Sequence, residues 1–186
     1  AERWKRLTEL MVDGLVDYIR TAAGDGFEPV ANEGYINVPF SDPADPTLRA
    51  VVSGSIDRVE IKDDSARIID IKTGKNVESA DNHLQLTAYQ WALGKNAVTE
   101  LPEGTGSAGA ALLYPRIKPN DGTLFTFKFQ GKLSDEQIQE FEQLLIAVAQ
   151  VTRATEFQGP ADATRIGREI NFDGQWVRIG EVGSDD

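Results

Sequence analysis

The stretch that decides the fold is GSIDRVEIKDDSARIIDIKTGK, residues 54–75. Two runs rich in Val and Ile flank the polar segment KDDS, a pattern typical of a strand, a tight turn and a second strand. Charged residues interrupt the apolar runs, among them Asp57, Asp70 and Lys72. A charge inside a buried strand is costly unless it is paired, hydrogen-bonded or bound to a metal ion, so these three residues need a physical explanation.

The turn determines which residues of the two strands face each other. An even-numbered turn, formed either by Asp63-Asp64 or by all of residues 62–65, places Asp57 directly opposite Asp70, whereas an odd-numbered turn would shift this register. Facing Cβ atoms lie roughly 4.5 to 5.5 Å apart, so the two carboxylates could share one cation. Strand alternation puts Lys72 on the face of Asp70. The apolar residues of that face are Val59, Ile61, Ala66 and Ile68.

Two interpretations of the three charges remain open. They could be solvated charges on the outer face of a hairpin, although two facing aspartates would then repel each other. Alternatively, they form a site for a divalent cation, and a carboxylate-rich oxygen ligand set suits Mg²⁺ or Mn²⁺ rather than zinc. A lysine beside such a metal can orient water or stabilise the charged phosphorus during phosphodiester hydrolysis. Asp57, Asp70 and Lys72 are thus a minimal set for hydrolysis.

The order of the other elements predicts the fold class. Apolar periodicity and turn residues predict helices over 4–20 and 81–94, and Ser134 with Gln137 has the spacing of a helix capping box. Strands are predicted over 34–40, 48–61, 66–73, 108–117 and 123–129, with a hairpin over 171–179 and a frayed acidic end over 181–186. This order predicts an α/β or α+β domain with one mixed sheet flanked by helices.

Composition restricts the functional classes. The 186 residues are 40% hydrophobic, which favours one core, and without a run long enough to span a membrane we expect a soluble, cytoplasmic protein with no membrane partner. The absence of cysteine excludes disulfides and cysteine-ligated zinc or iron–sulfur clusters. A net charge of −11 argues against a general polyanion binder, so any nucleic-acid site should be local or metal-assisted.

Three segments together carry a family resemblance. GSIDRVE, ARIIDIKTGK and NHLQLTAYQWAL resemble, in order and spacing, the core motifs of RecB-like nucleases of the PD-(D/E)XK superfamily. The resemblance implies a restriction-endonuclease-like core. It implies one nuclease domain over residues 1–186, with its core at about 4–154 and a C-terminal extension at 155–186. It also implies that the chain is a fragment of a larger helicase-nuclease.

The resemblance implies a role for individual residues. Asp57, Asp70 and the backbone carbonyl of Ile71 would ligate the metal, and Lys72 would be the catalytic lysine. Gln85 and Tyr89 match the family's Q-x-x-x-Y, and their spacing puts both on one helical face. Tyr89 could equally be an ordinary packing residue. Arg58 and Lys75 would contact DNA phosphates or be solvated surface charges.

Two departures from the family pattern concern the metal site and an iron–sulfur cluster. Family members commonly carry a further His or Glu ligand on an upstream helix, for which Glu9, Asp13 and Glu33 are weak substitutes, so we expect this ligand before Ala1. The sole histidine, His83, is expected at the surface. The cysteines that hold an iron–sulfur cluster in many relatives are absent, so no cluster is expected.

The resemblance implies a metal-dependent DNA nuclease of the exonuclease type that acts on single strands or duplex ends with a helicase in repair or recombination. The helicase would lie in the same polypeptide or complex. The chain itself has no ATP site, because KTGKN lacks the earlier glycine and the Ser or Thr of a phosphate-binding loop. The alternative is a catalytically silent nuclease-like domain that serves as a DNA-end clamp or a protein-interaction scaffold.

Overall fold

The computed structural model describes residues 2–153, 169–172 and 175–178. The chain divides into two compact units, Ala1–Ala149 and Gln150–Asp186. The elements are α1 (Glu2–Gly24), β1 (Glu28–Ser41), β2 (Arg49–Lys62), β3 (Ser65–Ile71), α2 (Leu84–Gly94), β4 (Gly106–Tyr114), β5 (Thr126–Gln130), α3 (Asp135–Arg153), β6 (Glu169–Phe172) and β7 (Gln175–Arg178).

The first unit is built on a five-stranded sheet with the order β1-β2-β3-β4-β5. Strands β3 and β4 are parallel and the other neighbouring pairs are antiparallel, so α2 is the crossover that a parallel connection requires. The predicted mixed sheet with flanking helices is confirmed. In the second unit β6 and β7 form an antiparallel pair, which confirms the strands of the predicted hairpin. Its turn and the acidic end at 181–186 lie outside the described residues.

Two apolar clusters cover the two faces of the sheet. On one face Ile56 and Ile68 pack with Leu86 and Trp91 of α2 and Phe141 of α3. On the other face Tyr18 and Ala22 of α1 pack with Ile69 and Leu113. Strand β3 is buried continuously from Ala66 to Asp70 because both of its faces are covered.

Helix α1 lies close to the end of β4. A Cβ atom on Gly14 would be 1.7 Å from the carbonyl oxygen of Pro115, far inside contact distance. Only glycine fits at this position. The predicted helix over 4–20 is therefore part of a longer helix whose docking depends on one residue without a side chain.

A buried ion cluster lies on the α1 side of the sheet and comprises Tyr18, Arg58, Glu60 and Arg67. Glu60 is fully buried and accepts hydrogen bonds from Arg58 Nε at 2.7 Å, Arg67 Nε at 2.8 Å and the Tyr18 hydroxyl at 2.8 Å. The guanidinium of Arg67 also lies 3.6 Å from the centroid of the Phe27 ring. All of the carboxylate's charge is thus matched inside the protein.

Helix boundaries agree with the sequence where local signals are strong. The capping box at α3 is confirmed: Gln137 N donates to Ser134 Oγ at 3.2 Å, and Ser134 N donates to Gln137 Oε1 at 2.9 Å. Helix α2 begins at Leu84, three residues after the predicted start, because Asn82 has a left-handed φ of 54° that no helix accommodates.

The alternation of faces along β1 and β2 is interrupted next to Asp57. Val52 and Ile56 face the α2 cluster, yet so does Val59, which simple alternation would put on the opposite face. Glu33, at the matching position of β1, has a left-handed φ of 58°. The irregularity spans two strands, so the apolar pattern of a single strand does not reveal it.

Among the described residues, no helix combines the length and the apolar character needed to cross a membrane.

Candidate active site

The register predicted from the KDDS turn is confirmed over the length of the β2–β3 ladder. Lys62 pairs with Ser65, which leaves Asp63-Asp64 as a two-residue loop, and the ladder continues to the pair Arg58 and Ile69. Asp63 adopts a φ of 51°, as tight hairpin turns require. Asp57 is the residue of β2 immediately before Arg58, just beyond the end of this ladder. Its Oδ2 accepts a hydrogen bond from Ile71 N at 2.6 Å.

Four of the predicted site residues form one continuous polar chain. Lys72 Nζ lies 2.8 Å from Asp70 Oδ2 and donates a hydrogen bond to Gln85 Oε1 at 2.9 Å. Gln85 Nε2 then donates to the Tyr89 hydroxyl at 2.7 Å, and that hydroxyl donates to the Ser55 carbonyl at 2.6 Å. The chain links β3, α2 and β2. The Q-x-x-x-Y spacing works because residues four apart lie on one helical face.

The backbone around Lys72 is fixed by neighbouring strands. Lys72 N donates to the Leu113 carbonyl of β4 at 2.8 Å, which extends the parallel β3–β4 pairing by one residue beyond Ile71. Further along the connection to α2, Glu78 N donates to the Tyr114 hydroxyl at 2.9 Å. Lys72 is therefore held at its backbone by β4 and at its ammonium group by Asp70 and Gln85.

Gly54, the first residue of the segment GSIDRVE, lies against the ring of Tyr89. A Cβ atom at this position would lie 3.7 Å from Cε1 of the Tyr89 ring, in van der Waals contact, so a longer side chain would compete for the ring's space. Gly54 thus lies directly beneath the Tyr89 ring, whose hydroxyl donates to the carbonyl of the next residue, Ser55.

The pKa values of Asp70 and Lys72 reflect burial and their mutual contact. Burial raises the pKa of Asp70 above its ordinary value, Lys72 opposes this shift, and Asp57 adds to it. Burial alone would lower the pKa of Lys72, but the Asp70 carboxylate, with smaller contributions from Glu78 and Tyr89, raises it overall. The lysine therefore stays a cation, while the carboxylate is poorly stabilised as an anion.

The donor set fits a divalent metal ion. Asp70 Oδ2 is buried, and among the described residues its one polar neighbour is the Lys72 ammonium at 2.8 Å. Carboxylate and carbonyl oxygens, which make up the predicted ligand set of Asp57, Asp70 and Ile71, are the hard ligands that Mg²⁺ and Mn²⁺ prefer. No group of three or more His, Cys, Asp or Glu side chains that could hold a metal occurs within the described ranges.

The other predicted site residues are not brought into the polar chain. Arg58 donates to Glu60 in the buried ion cluster and to Asn32 Oδ1 at 3.1 Å, so its charge is already paired. Lys75 is exposed in the connection that leads to α2. Glu9 and Asp13 lie exposed on α1 and Glu33 is exposed on β1. None of these three acidic residues joins Asp57 and Asp70 in a metal-binding group.

His83 is more buried than the sequence suggested. Its side chain is 16% exposed, it lies immediately before α2, and its Nε2 is 3.1 Å from Glu78 Oε2. Its Nδ1 is buried without a hydrogen-bond partner among the described residues, and a positive charge on its ring would lower the pKa of Asp70. His83 is therefore a partly buried residue beside the site rather than a fully solvated one. Its position two residues before Gln85 was the available signal.

Comparisons with known proteins show the family. The model of the PD-(D/E)XK nuclease superfamily matches residues 1–166. Among solved structures the chain is similar to the protein in "Crystal structure of SSO0001", with 15% sequence identity over 79% of this chain and 67% of that chain, at a TM-score of 0.38. A search of curated proteins finds no match.

The chain belongs to the PD-(D/E)XK nuclease superfamily. The five-stranded mixed sheet flanked by helices is consistent with the restriction-endonuclease-like fold expected for that superfamily. Membership indicates nuclease activity with DNA as the substrate, and PD-(D/E)XK nucleases generally use divalent metals such as Mg²⁺.

Proposed function

We propose that the protein is a metal-dependent DNA nuclease whose active site comprises Asp57, Asp70, Lys72, Gln85 and Tyr89. The observation that carries the proposal is the polar chain from Asp70 through Lys72, Gln85 and Tyr89 to the Ser55 carbonyl. Such a chain fixes the ammonium group of Lys72 beside an under-coordinated carboxylate. A purely structural lysine would not need three elements to orient it.

The metal ligands in this proposal are Asp57, Asp70 and the Ile71 carbonyl. A bound Mg²⁺ or Mn²⁺ would lower the pKa of a water molecule and withdraw charge from the scissile phosphate. Asp57 Oδ2 is held by Ile71 N, so the two acidic residues are tied to the same short segment of backbone. This tie lets β2 and β3 present both carboxylates to one ion.

Lys72 supplies positive charge to the reacting phosphate. Its raised pKa keeps it protonated at neutral pH, so it acts as a fixed cation and hydrogen-bond donor rather than as a base. Gln85 accepts a hydrogen bond from one of the three N–H groups of the Lys72 ammonium, which sets the direction of that group. Tyr89 positions Gln85 and is itself anchored on β2, so we propose a positioning role for these two residues.

The resemblance to RecB-like nucleases supports a finer proposal. We propose that the nuclease is an exonuclease that works with a helicase in DNA repair or recombination, because the three motif segments match that subgroup in order and spacing. Linear and covalently closed circular DNA should distinguish the two modes of cleavage. Degradation of the linear form alone supports an exonuclease, and equal degradation of both forms contradicts it.

One observation favours a second candidate function. Within the described ranges no third acidic or histidine side chain joins Asp57 and Asp70, and PD-(D/E)XK nucleases with fewer ligands would hold the metal weakly. A catalytically silent domain that clamps DNA ends or serves as an interaction scaffold would keep the fold without turnover. Calorimetric titration with Mn²⁺ separates the two candidates, since a silent domain has no need to retain metal affinity.

A cleavage assay tests the leading proposal. Linear single- and double-stranded DNA is incubated with Mg²⁺ or Mn²⁺ and the parent protein, Asp70→Ala or Lys72→Ala. Asp64→Ala and Lys132→Ala are matched controls, because both residues are exposed and lie outside the site. We expect activity in the parent and the controls and its loss in the two site variants. Equal degradation by all five proteins would indicate a contaminant and refute the proposal.

A further inference from the structure

Two buried carboxamides connect α2 to the sheet, Gln90 on the helix and Gln130 at the end of β5. Gln90 is 4% exposed and Gln130 is 7% exposed. Gln90 Nε2 donates a hydrogen bond to Gln130 Oε1 at 2.9 Å. We call these two residues the amide pair. Helix α2 also carries Gln85 and Tyr89, so the amide pair and the proposed active site share one helix.

The Gln90 side chain uses all of its hydrogen-bonding capacity. Its Nε2 also donates to the Gly131 carbonyl at 3.1 Å. Its Oε1 accepts from Ser107 Oγ at 2.8 Å and from Leu133 N at 3.2 Å. A carboxamide offers two N–H donors and two acceptor positions, and all four have partners here. These bonds tie α2 to the start of β4 and to the segment that follows β5.

The Gln130 side chain holds the place where α2 begins. Its Nε2 donates to the carbonyls of Ala80 and His83 at 3.2 and 3.5 Å and to Thr87 Oγ1 at 3.3 Å. His83 lies immediately before α2, and its carbonyl also accepts a hydrogen bond from Thr87 N at 3.0 Å. Strand β5 therefore fixes the first turn of α2, which is the turn that carries Gln85.

Apolar packing alone would determine the position of α2 less sharply. The helix packs on the sheet through large apolar side chains such as Leu86, Trp91 and Leu93. Apolar contacts are non-directional, and apolar cores lose a unique arrangement before they lose stability. Hydrogen bonds tolerate only a narrow range of distance and angle, so a shift of α2 by about 1 Å would break several bonds of the amide pair at once.

We infer that the amide pair positions the proposed active site, because it fixes α2 where Gln85 meets Lys72. This inference rests on the proposed nuclease function. Gln85 Oε1 accepts from Lys72 Nζ at 2.9 Å, and Gln85 Nε2 donates to the Tyr89 hydroxyl at 2.7 Å. A displaced helix cannot keep both contacts, because they join α2 to β3 on one side and continue along α2 on the other. The amide pair thus acts through Gln85.

The first test measures the rate of DNA hydrolysis by Gln130→Met, which nearly keeps the size of the side chain and removes its hydrogen bonds. We expect kcat with Mg²⁺ to fall about tenfold or more with little change in KM, because a small misplacement can cost about 10²-fold. Tyr18→Phe is the control, since it weakens the fold from the α1 side of the sheet. Its kcat should stay within about twofold of the parent at a temperature where both variants are folded.

A double-mutant cycle separates positioning from a general loss of structure. In a Gln85→Ala background, Gln130→Met should lower kcat by no more than about twofold, because the residue through which it acts is gone. An equal loss in both backgrounds would overturn the inference. So would a loss in Gln130→Met that is no larger than the loss in Tyr18→Phe.

The second test does not need cleavage. Lysine labelled with ¹³C at Cε reports on each lysine side chain by NMR, and Lys72→Met assigns the resonance of Lys72. We expect Gln130→Met and Gln85→Ala to shift this resonance, whereas that of Lys5, which is exposed on α1, should stay in place. If Gln130→Met does not fold, Thr87→Val replaces it, since it keeps the shape of the side chain and removes one acceptor of the amide pair. A Lys72 resonance that does not move would overturn the inference with either variant.

The two tests separate this inference from the proposed function. A parent that cleaves DNA, together with a Gln130→Met variant of equal activity, retains the function and overturns the inference. A parent that does not cleave DNA with Mg²⁺ or Mn²⁺ refutes the function. The Lys72 resonance then decides alone whether the amide pair fixes the contact between Gln85 and Lys72.

Discussion

The two sides of the β2–β3 hairpin both carry charged residues, but they use them differently. On the α1 side, both oxygens of Glu60 are occupied by Arg58, Arg67 and Tyr18 at 2.7 to 2.8 Å. On the α2 side, Asp70 Oδ2 is equally buried yet has only the Lys72 ion pair. A buried carboxylate whose oxygens all have partners is typical of a structural role. A buried carboxylate that lacks partners is typical of a functional site, because it can still bind a ligand. One face of the hairpin thus carries a structural ion cluster, and the other face carries the proposed active site.

Among the substitutions that test this difference between the two faces, removal of Glu60 is expected to have the largest effect. Glu60→Ala leaves the buried guanidinium of Arg67 and the partly buried one of Arg58 without a counter-ion, and we expect it to lower the free energy of unfolding by about 3 to 5 kcal/mol. Urea denaturation measures this change. Glu9→Ala is the control, since its ion pair with Lys5 is exposed and is worth at most about 1 kcal/mol. A loss in Glu60→Ala no larger than that of the control would mean that the cluster is not structural.

On the opposite face, Lys72→Met should affect chemistry more than stability. We expect a drop in the rate of DNA hydrolysis of about 10² to 10³, the usual cost of losing one donor to a transition state. The free energy of unfolding should fall by less than in Glu60→Ala, because the Lys72 side chain is 28% exposed and its charge reaches water. Cleavage kinetics and urea denaturation on the same preparation check both parts, with Lys132→Met as control. Retained hydrolysis would contradict the proposed role.

Tyr18→Phe tests a single hydrogen bond of the ion cluster, because it removes that bond and keeps the ring contacts. We expect a loss of about 1.5 to 3 kcal/mol, typical for a hydrogen bond to a charged group. Burial, with the adjacent Glu60, raises the pKa of the Tyr18 hydroxyl above its ordinary 10.0. The stability it contributes is fully present below pH 10.0 and is lost as the pH rises through the folded-state pKa. The difference between parent and variant should therefore shrink at strongly alkaline pH, and a widening difference would refute this account.

The smallest effect is expected from Asp70→Asn without divalent metal. Burial raises the pKa of Asp70 above 3.8 in the folded protein, so its contribution to stability is fully present below that pH and is lost as the pH rises through the folded-state pKa. Asp70→Asn has no such loss. The melting temperature of Asp70→Asn minus that of the parent should therefore increase as the pH is raised from acidic to neutral. A parent that gains stability over the variant in this interval would show that Lys72 outweighs burial.

Much of the fold was predictable because its signals are local. The two-residue loop at Asp63-Asp64 fixed the β2–β3 register, and the Ser134 and Gln137 pair fixed the start of α3. The same register arithmetic places Glu60 opposite Arg67, so the core of the ion cluster could also have been found. Its burial depends on α1, which the strand pattern alone does not reveal.

Other features depend on tertiary contacts that no local pattern encodes. The break in alternation before Asp57 involves Glu33, which is far away in sequence. The pairing of Arg58 with Glu60, and the burial of His83 next to α2, follow from helices that cover the sheet. The roles of Asp57, Asp70, Lys72, Gln85 and Tyr89, the DNA contact of Lys75 and the single-domain organisation of residues 1–186 stay predictions.

The hydrogen bond from Lys72 N to the Leu113 carbonyl has a consequence for protein synthesis. A nascent chain that has emerged only as far as α2 already carries every proposed catalytic side chain, but it lacks the strand that holds the lysine backbone. Parallel strands pair only after their crossover is complete. The motif residues are thus translated before the backbone of Lys72 can be fixed by β4. We expect the proposed active site to form only after β4 has left the ribosome.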